Sequence, residues 1–337
     1  MNVSHDSGTM RWELTQVLAP TLDAVVIVIG FVGHSLVIYI LTGRRRKNRF
    51  QSHQGTDTLL LALSASDLLL LIGLPFHTAA IALGYWPFGS NLCKFISFLG
   101  IACNSASVFT LAALAVTRYL IVVYPTWTYR FRMGRCLRVI VILIWVPAVV
   151  LAAPQFAFRQ LRTVPIKTVP IYCFAFLSDL SQLVYSAILF LFGFTLPLII
   201  IIVMYTKLYI FLRKTRLQGS APQLERYQSQ VTKTSVLLVL VFTICWLPAY
   251  ALMFLLIGNS SSNSQARLHN FAIIARLLAT SSVVANPVLY AFMSNKFRRE
   301  LLSLGRVCCK GCGCVMCPGG AIVQPFNPVD FETPPQP

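Results

Sequence analysis

The chain has 337 residues, of which 56% are hydrophobic and only 11% charged, and its mean hydropathy is +0.71. An ordinary soluble domain carries about 25% charged residues, so this chain cannot coat a water-soluble fold of its size without large greasy patches. Membrane embedding is the reading left, and the placement of the +18 net charge decides whether nucleic acid needs to be considered.

Residues 1–22 are polar, lack the apolar core of a signal peptide and carry the sequon Asn2-Val3-Ser4, a glycosylation acceptor. A helix crossing the hydrocarbon needs about 20 mostly apolar residues. In chain order the runs that qualify are Ala24–Gly43, Thr58–Leu83 (interrupted by Asp67 alone), Phe95–Thr117, Val139–Phe158, Leu180–Thr206, Thr234–Leu256 and Phe271–Ser294 (interrupted by Arg276 alone). No alternating segments suggest a transmembrane barrel, and no internal repeat marks a transporter built from duplicated halves. The expected fold is therefore all-α: a bundle of seven transmembrane helices over residues 23–295, with tails at 1–22 and 296–337.

All but seven of the 28 Lys and Arg fall between alternate spans or just after the last one. Arg44 to Arg49, Arg118 to Arg138, Lys207 to Lys233 and Lys296 to Lys310 bound the basic segments. Arg11, Lys94, Arg159, Arg162, Lys167, Arg267 and Arg276 fall on the opposite side. Cytoplasmic segments are the basic ones, which puts the amino terminus outside and the carboxyl terminus inside. Topology and contact with anionic lipid account for the basicity, so nucleic acid is not an expected partner. A second sequon, Asn259-Ser260-Ser261, falls in a short outer loop close to the bilayer.

Each span carries a motif. Gly30-Phe31-Val32-Gly33 precedes His34 in the first, and Leu63-Ser64-Ala65-Ser66-Asp67 lies in the second. Cys93 opens the third, which ends in Thr117-Arg118-Tyr119. Trp145 marks the fourth, Pro197 and Tyr205 the fifth, and Phe242 with Cys245-Trp246-Leu247-Pro248 the sixth. Asn286-Pro287-Val288-Leu289-Tyr290 closes the seventh, followed by Phe297-Arg298-Arg299. With these landmarks in order, residues 24–310 resemble the rhodopsin-like (class A) G-protein-coupled receptors.

That resemblance implies a plasma-membrane receptor with a heterotrimeric G protein and arrestin as inner partners. It pairs Cys93 with Cys173 as a disulfide, and it gathers Asp67, Ser107, Ser282 and Asn286 beneath Trp246 as a sodium and water pocket. A mid-span carboxylate is costly without company. A protonated Asp67 hydrogen-bonded inside the bundle is the other way to provide it. Pro75, Pro147, Pro154, Pro197, Pro248 and Pro287 each remove a helix hydrogen bond and serve as hinges. In similar receptors the sixth span swings outward about Pro248, with Phe242 and Trp246 beneath the ligand and Tyr205 and Tyr290 rearranging near Arg118 and Tyr119. Simple core packing is the alternative for Trp246.

Three residues depart from the family pattern. Thr117 stands where an acidic residue usually precedes Arg118, Gln228 occupies the base of the sixth span where a second acidic partner sometimes stands, and His34 replaces a customary Asn. All three bear on how tightly the resting state is held.

Gly100 occupies the place of the ammonium-binding Asp of amine receptors, and Thr280 that of the retinal-binding Lys. Amines and retinal are thereby excluded as ligands. Trp86-Pro87-Phe88-Gly89, Pro75 and the segment Ser107 to Ala115 look like peptide receptors, nearest to the galanin, kisspeptin and allatostatin group. The ligand site is expected to involve Gly100, Trp246, Tyr250, His269 and Arg276. Arg276, read as the only charge in the outer halves of the spans, meets either an anionic ligand group or a structural partner such as Asp179 or a loop carbonyl. A receptor for an anionic lipid or a carboxylate metabolite would use such an Arg equally well.

A transporter should place several charges along a midplane path, which is not seen, and no catalytic triplet lies in the spans. An amphipathic eighth helix is expected from Phe297 to Arg306. The cysteines after it, Cys308, Cys309, Cys312, Cys314 and Cys317, suit palmitoylation better than zinc, because their two Cys-x-x-Cys pairs lack the usual intervening loop. Cys308 and Cys309 are the first candidates.

Overall fold

The computed structural model describes residues 17–47, 54–130, 133–163, 171–175, 179–217, 222–258, 262–293 and 297–303. Long helices follow from apolar runs with few breakers. In order they are α1 (Ala19–Lys47), α2 (Gln54–Leu83), α3 (Gly89–Val123), the short α4 (Pro125–Arg130), α5 (Met133–Phe158), α6 (Asp179–Phe190), α7 (Leu196–Leu217), α8 (Pro222–Gly258) and α9 (Ser262–Met293). A wide π turn, Leu191–Thr195, joins α6 to α7 into one continuous rod. The spans are thus α1, α2, α3, α5, α6–α7, α8 and α9, numbered first to seventh.

Among the described residues, six helices are long and apolar enough to cross a membrane, and Val239–Leu255 in the sixth span adds a shorter apolar stretch. Observed apolar segments such as Ala19–Gly43, Gly89–Val123 and Leu180–Thr215 run longer than the sequence reading. The reason is physical: that reading stopped each run at its first charge, whereas a helix continues through Asp23, Lys94 or Arg118 when the charge has a partner or an interface to reach.

The third span is central. Half of its window is buried, against 22% for the fourth, and its buried face is made of small residues such as Ala102, Cys103, Ser105, Ala106, Ala112 and Ala115. Small side chains let neighbouring backbones approach where lipid provides no hydrophobic push. The other faces are apolar and exposed, with Ile142, Val150 and Ile244 each more than 60% exposed. Proline interrupts the hydrogen-bond ladder of the second, fourth, sixth and seventh spans at Pro75, Pro147, Pro154, Pro248 and Pro287 without ending the helices. In the fifth span the wide turn ends just before Pro197, whose missing N–H would otherwise have bonded to Gly193 four residues back.

A hairpin not foreseen from the sequence caps one end of the bundle. Arg159–Thr163 (β1) pairs antiparallel with Ile171–Ala175 (β2), with Leu161 opposite Cys173. Cys173 is bonded to Cys93 at the start of the third span, with a Cα–Cα distance of 5.8 Å, as the resemblance implied. This is the disulfide end; the opposite one, carrying Arg118, is the Arg118 end. There residues 297–303 form a short helix that turns Phe297 and Leu301 onto Val37, Ile40 and Leu41 of the first span and leaves Arg298 and Arg299 exposed. The expected eighth helix is therefore present and amphipathic.

First and seventh spans pack tightly at Gly33, where an added Cβ would come within 2.8 Å of Pro287 Cβ and 2.9 Å of Pro287 Cγ. A pyrrolidine ring cannot swing aside. Gly33→Ala is expected to lower the unfolding temperature of the detergent-solubilised protein by several degrees, overpacking costing about 1–3 kcal/mol. Gly43→Ala, whose Cβ meets nothing within 4 Å, serves as control. Equal unfolding temperatures for Gly33→Ala and wild type would refute this close packing.

Candidate functional site

Midway along the bundle Asp67 is buried, with each carboxylate oxygen accepting a hydrogen bond. Ser107 of the third span donates to Oδ1 at 2.8 Å, and Asn286 of the seventh donates through Nδ2 to Oδ2 at 2.6 Å. His34 of the first span brings Nε2 to 3.5 Å from Oδ2 and to 2.9 Å from the carbonyl of Val283. A carbonyl only accepts, so Nε2 carries the proton and points at Val283, and its contact with Asp67 is electrostatic. His34 thus links the first span to the second and seventh.

A small cavity adjoins Asp67, lined also by Asn104, Ser107, Phe242, Ser282 and Asn286. Its interior, about 20 Å³ open to the centres of water-sized spheres, exceeds the roughly 10–15 Å³ that one water needs. Carboxylate, hydroxyl and amide oxygens around one cavity are the donor set of a hard cation, so the residues fit sodium. Among the described residues no group of three His, Cys, Asp or Glu could hold a transition metal.

Trp246 leads from this cavity toward the disulfide end. Its indole N–H donates to Ser282 Oγ at 3.0 Å, and its ring belongs to a column of aromatics. Phe242 lies 5.9 Å below it, Tyr250 6.4 Å above, and Phe194 touches both Tyr250 (5.0 Å) and Phe242 (6.1 Å). The wide turn of the fifth span buries Phe194 within this column. A Cβ added at Gly100 would meet nothing within 4 Å, so the third span leaves open space where amine receptors place a carboxylate.

At the Arg118 end Tyr205 is buried among Leu111, Ala115, Leu208 and Val239, with Tyr119 packed against the group. Val239 brings the sixth span onto the third and fifth there. Thr117 is buried, and Arg118 Nε has no hydrogen-bond partner among the described residues. The side chains of Gln228, His269, Tyr290 and Asp179 lie outside the described set, as do Asn2, Cys308 and Cys309.

Arg276 is not the only charge near the disulfide end. The first helix starts at Ala19 rather than Ala24, which carries Asp23 into the bundle, where it is completely buried. Thr78 of the second span donates to Asp23 Oδ2 at 3.1 Å and Thr280 of the seventh to Oδ1 at 3.2 Å. Arg276 Nη2 lies 2.9 Å from Oδ2, its side chain 28% exposed, in an ion pair whose N–H directions miss the oxygen. The structural partner of Arg276 is therefore Asp23. Sequence reasoning missed it by trimming the first span at a charge; an Asp one residue before a long apolar run was the available clue.

Residues 33–290 match the family model described as 7 transmembrane receptor (rhodopsin family). Similar proteins include somatostatin receptor type 3 of Homo sapiens, 30% identical over 88% of this chain and 70% of the relative. Somatostatin receptor type 4 of Rattus norvegicus is 29% identical over 90% and 76% of the two chains. Type 1 of Mus musculus is 27% identical over 91% and 76%.

Removing the cation from a buried pair strands its partner. Arg276→Gln is expected to destabilise the protein by about 3–5 kcal/mol, read as a lower unfolding temperature and lower surface expression. Adding Asp23→Asn should recover part of that loss. Strictly additive losses in this double-mutant cycle would show that the two residues are not coupled.

Proposed function

The chain belongs to the rhodopsin family of seven-transmembrane receptors, and from that premise we propose that it is a G-protein-coupled receptor of the plasma membrane for an extracellular peptide. The observation that carries this reading is the unbroken path from Tyr250 through Trp246 and Phe242, and through the Trp246 bond to Ser282, to the Asp67 cavity. A ligand pressing on Tyr250 or Trp246 disturbs the packing that holds the sixth span beside the third. Pro248, one turn of weakened helix, lets the segment below it swing outward and exposes Arg118 and Tyr119 to a helix of the G protein. Tyr205, Asn286, Pro287 and Tyr290 are assigned to that rearrangement. Arrestin is proposed for the same opened surface.

The disulfide supports placing the hairpin outside, where thiols oxidise, which agrees with the basic loops at the Arg118 end. Relatives named for somatostatin, a peptide hormone, favour a peptide ligand. The finer likeness to galanin, kisspeptin and allatostatin receptors remains a proposal resting on the motif residues alone. Gly100, Trp246, Tyr250 and His269 are the proposed ligand contacts, with Arg276 already paired to Asp23. A sodium ion held by Asp67 and Ser107, with Ser282 and Asn286 beside it, is proposed to stabilise the resting state. Acylation of Cys308 and Cys309 and glycosylation of Asn2 are proposed on sequence grounds.

The test is nucleotide exchange on added G protein in vesicles during a neuropeptide screen, repeated with sodium replaced by choline. A peptide that accelerates exchange, more potently without sodium in wild type but not in Asp67→Asn, is the expected result. Transport current without exchange would overturn the receptor reading.

Thr117 generates a separate expectation. An acidic residue there would hold Arg118 by a charge-assisted hydrogen bond worth roughly 1.5–3 kcal/mol, whereas Thr117 offers a neutral hydroxyl. About 1.4 kcal/mol shifts a two-state equilibrium tenfold. Wild type should therefore show ligand-free exchange that Thr117→Asp lowers about tenfold at matched surface expression. Equal basal rates, with agonist response intact in both, would sink this account.

A further inference from the structure

Among the described residues, the charges at the disulfide end do not balance. Asp23 answers Arg276, but Arg159, where the fourth span passes into the hairpin, has only neutral partners among the described residues. Its Nε donates to Gln155 Oε1 at 2.7 Å and its Nη1 to the carbonyl of Cys173 at 3.1 Å. Gln155 is buried, and the neighbouring Tyr185 donates its hydroxyl to the carbonyl of Leu151 at 3.0 Å. Burial holds the Arg159 guanidinium below its ordinary range, offset only by the Tyr185 hydroxyl. His77 of the second span is within electrostatic reach of both Arg159 and Arg276, so side chains from the second span, the hairpin and the seventh span approach one another at the disulfide end. In the third span Gly100 supplies neither a carboxylate nor bulk.

A guanidinium partly taken from water and met, among the described residues, only by neutral acceptors is costly to keep. Its planar fork of N–H donors matches a carboxylate in shape and charge. We propose that Arg159 is the docking point for a carboxylate of the ligand, an acidic side chain or the carboxyl terminus of a peptide. This rests on the peptide-receptor reading above and adds to it the charge of the ligand. Because Arg159 holds the backbone of Cys173, which is bonded to Cys93, a carboxylate seated there bears directly on the top of the third span.

The experiment uses the full-length protein in vesicles with added G protein and three synthetic peptide pools of equal length and aromatic content: Glu-rich, neutral and Lys-rich. A fourth arm uses straight-chain monocarboxylates. Nucleotide exchange and the unfolding temperature are both read. The Glu-rich pool is expected to accelerate exchange and raise the unfolding temperature of wild type. Arg159→Gln should raise its half-maximal concentration at least about tenfold, and Arg159→Lys, which keeps the charge but loses the fork, by less. Activity confined to the Lys-rich or neutral pool would overturn the carboxylate dock and leave the peptide reading standing. Activity of the monocarboxylates alone, lost in Arg159→Gln, would keep the dock and overturn the peptide reading. Silence in every arm, or a Glu-rich response unchanged in Arg159→Gln, would overturn the proposal. Should Arg159→Gln fail to reach the surface, an unchanged response in Arg159→Lys overturns it equally.

Discussion

A carboxylate in the middle of an apolar bundle has to find its polar partners among its neighbours, because the bilayer supplies none. Asp67 meets that requirement by drawing on three other helices, through Ser107, Asn286 and His34. Much of the architecture follows from this. The third span is lined with small residues so that Ser107 can come close, Gly33 lets the first span settle on Pro287, and His34 closes the circuit by bonding to the carbonyl of Val283. A structure held by a satisfied polar centre can also be switched there, since a change in what Asp67 binds alters the balance among four helices at once.

The prolines and the wide turn determine which way such a change travels. A helix that has lost one backbone hydrogen bond bends at lower cost than an intact one, and Pro248 sits next to the aromatic column that touches the Asp67 cavity through Phe242 and Ser282. In the fifth span the wide turn brings Phe194 against both Tyr250 and Phe242. Ring stacking is sensitive to sub-ångström shifts because each pair is held by short-range contact. The column is consequently a stiff link set beside a soft joint.

The disulfide end obeys the same rule as the centre with a different solution. Asp23 is shielded by two threonine hydroxyls and one guanidinium from two other helices, so the ends of the first, second and seventh spans are tied together. Arg159 ties the hairpin to the fourth span through neutral groups. Among the described residues, one charged group meets an opposite charge and the other meets only neutral groups.

Apolar run lengths alone determined the number of spans, and the ordered motifs carried the family, the Cys93–Cys173 bond and the gathering of Asp67, Ser107 and Asn286. These are legible because membrane burial is a one-dimensional constraint: enough apolar residues in a row, with each exception having to be explained. The partners of those exceptions were not legible. Asp23 and Arg276 are 253 positions apart, His34 and Val283 249 apart, and only packed helices bring them together. The hairpin was hidden for a related reason, since its strands are short and its register depends on a disulfide to another helix. Where a charge falls is written along the chain, but what neutralises it is decided by which helices pack side by side.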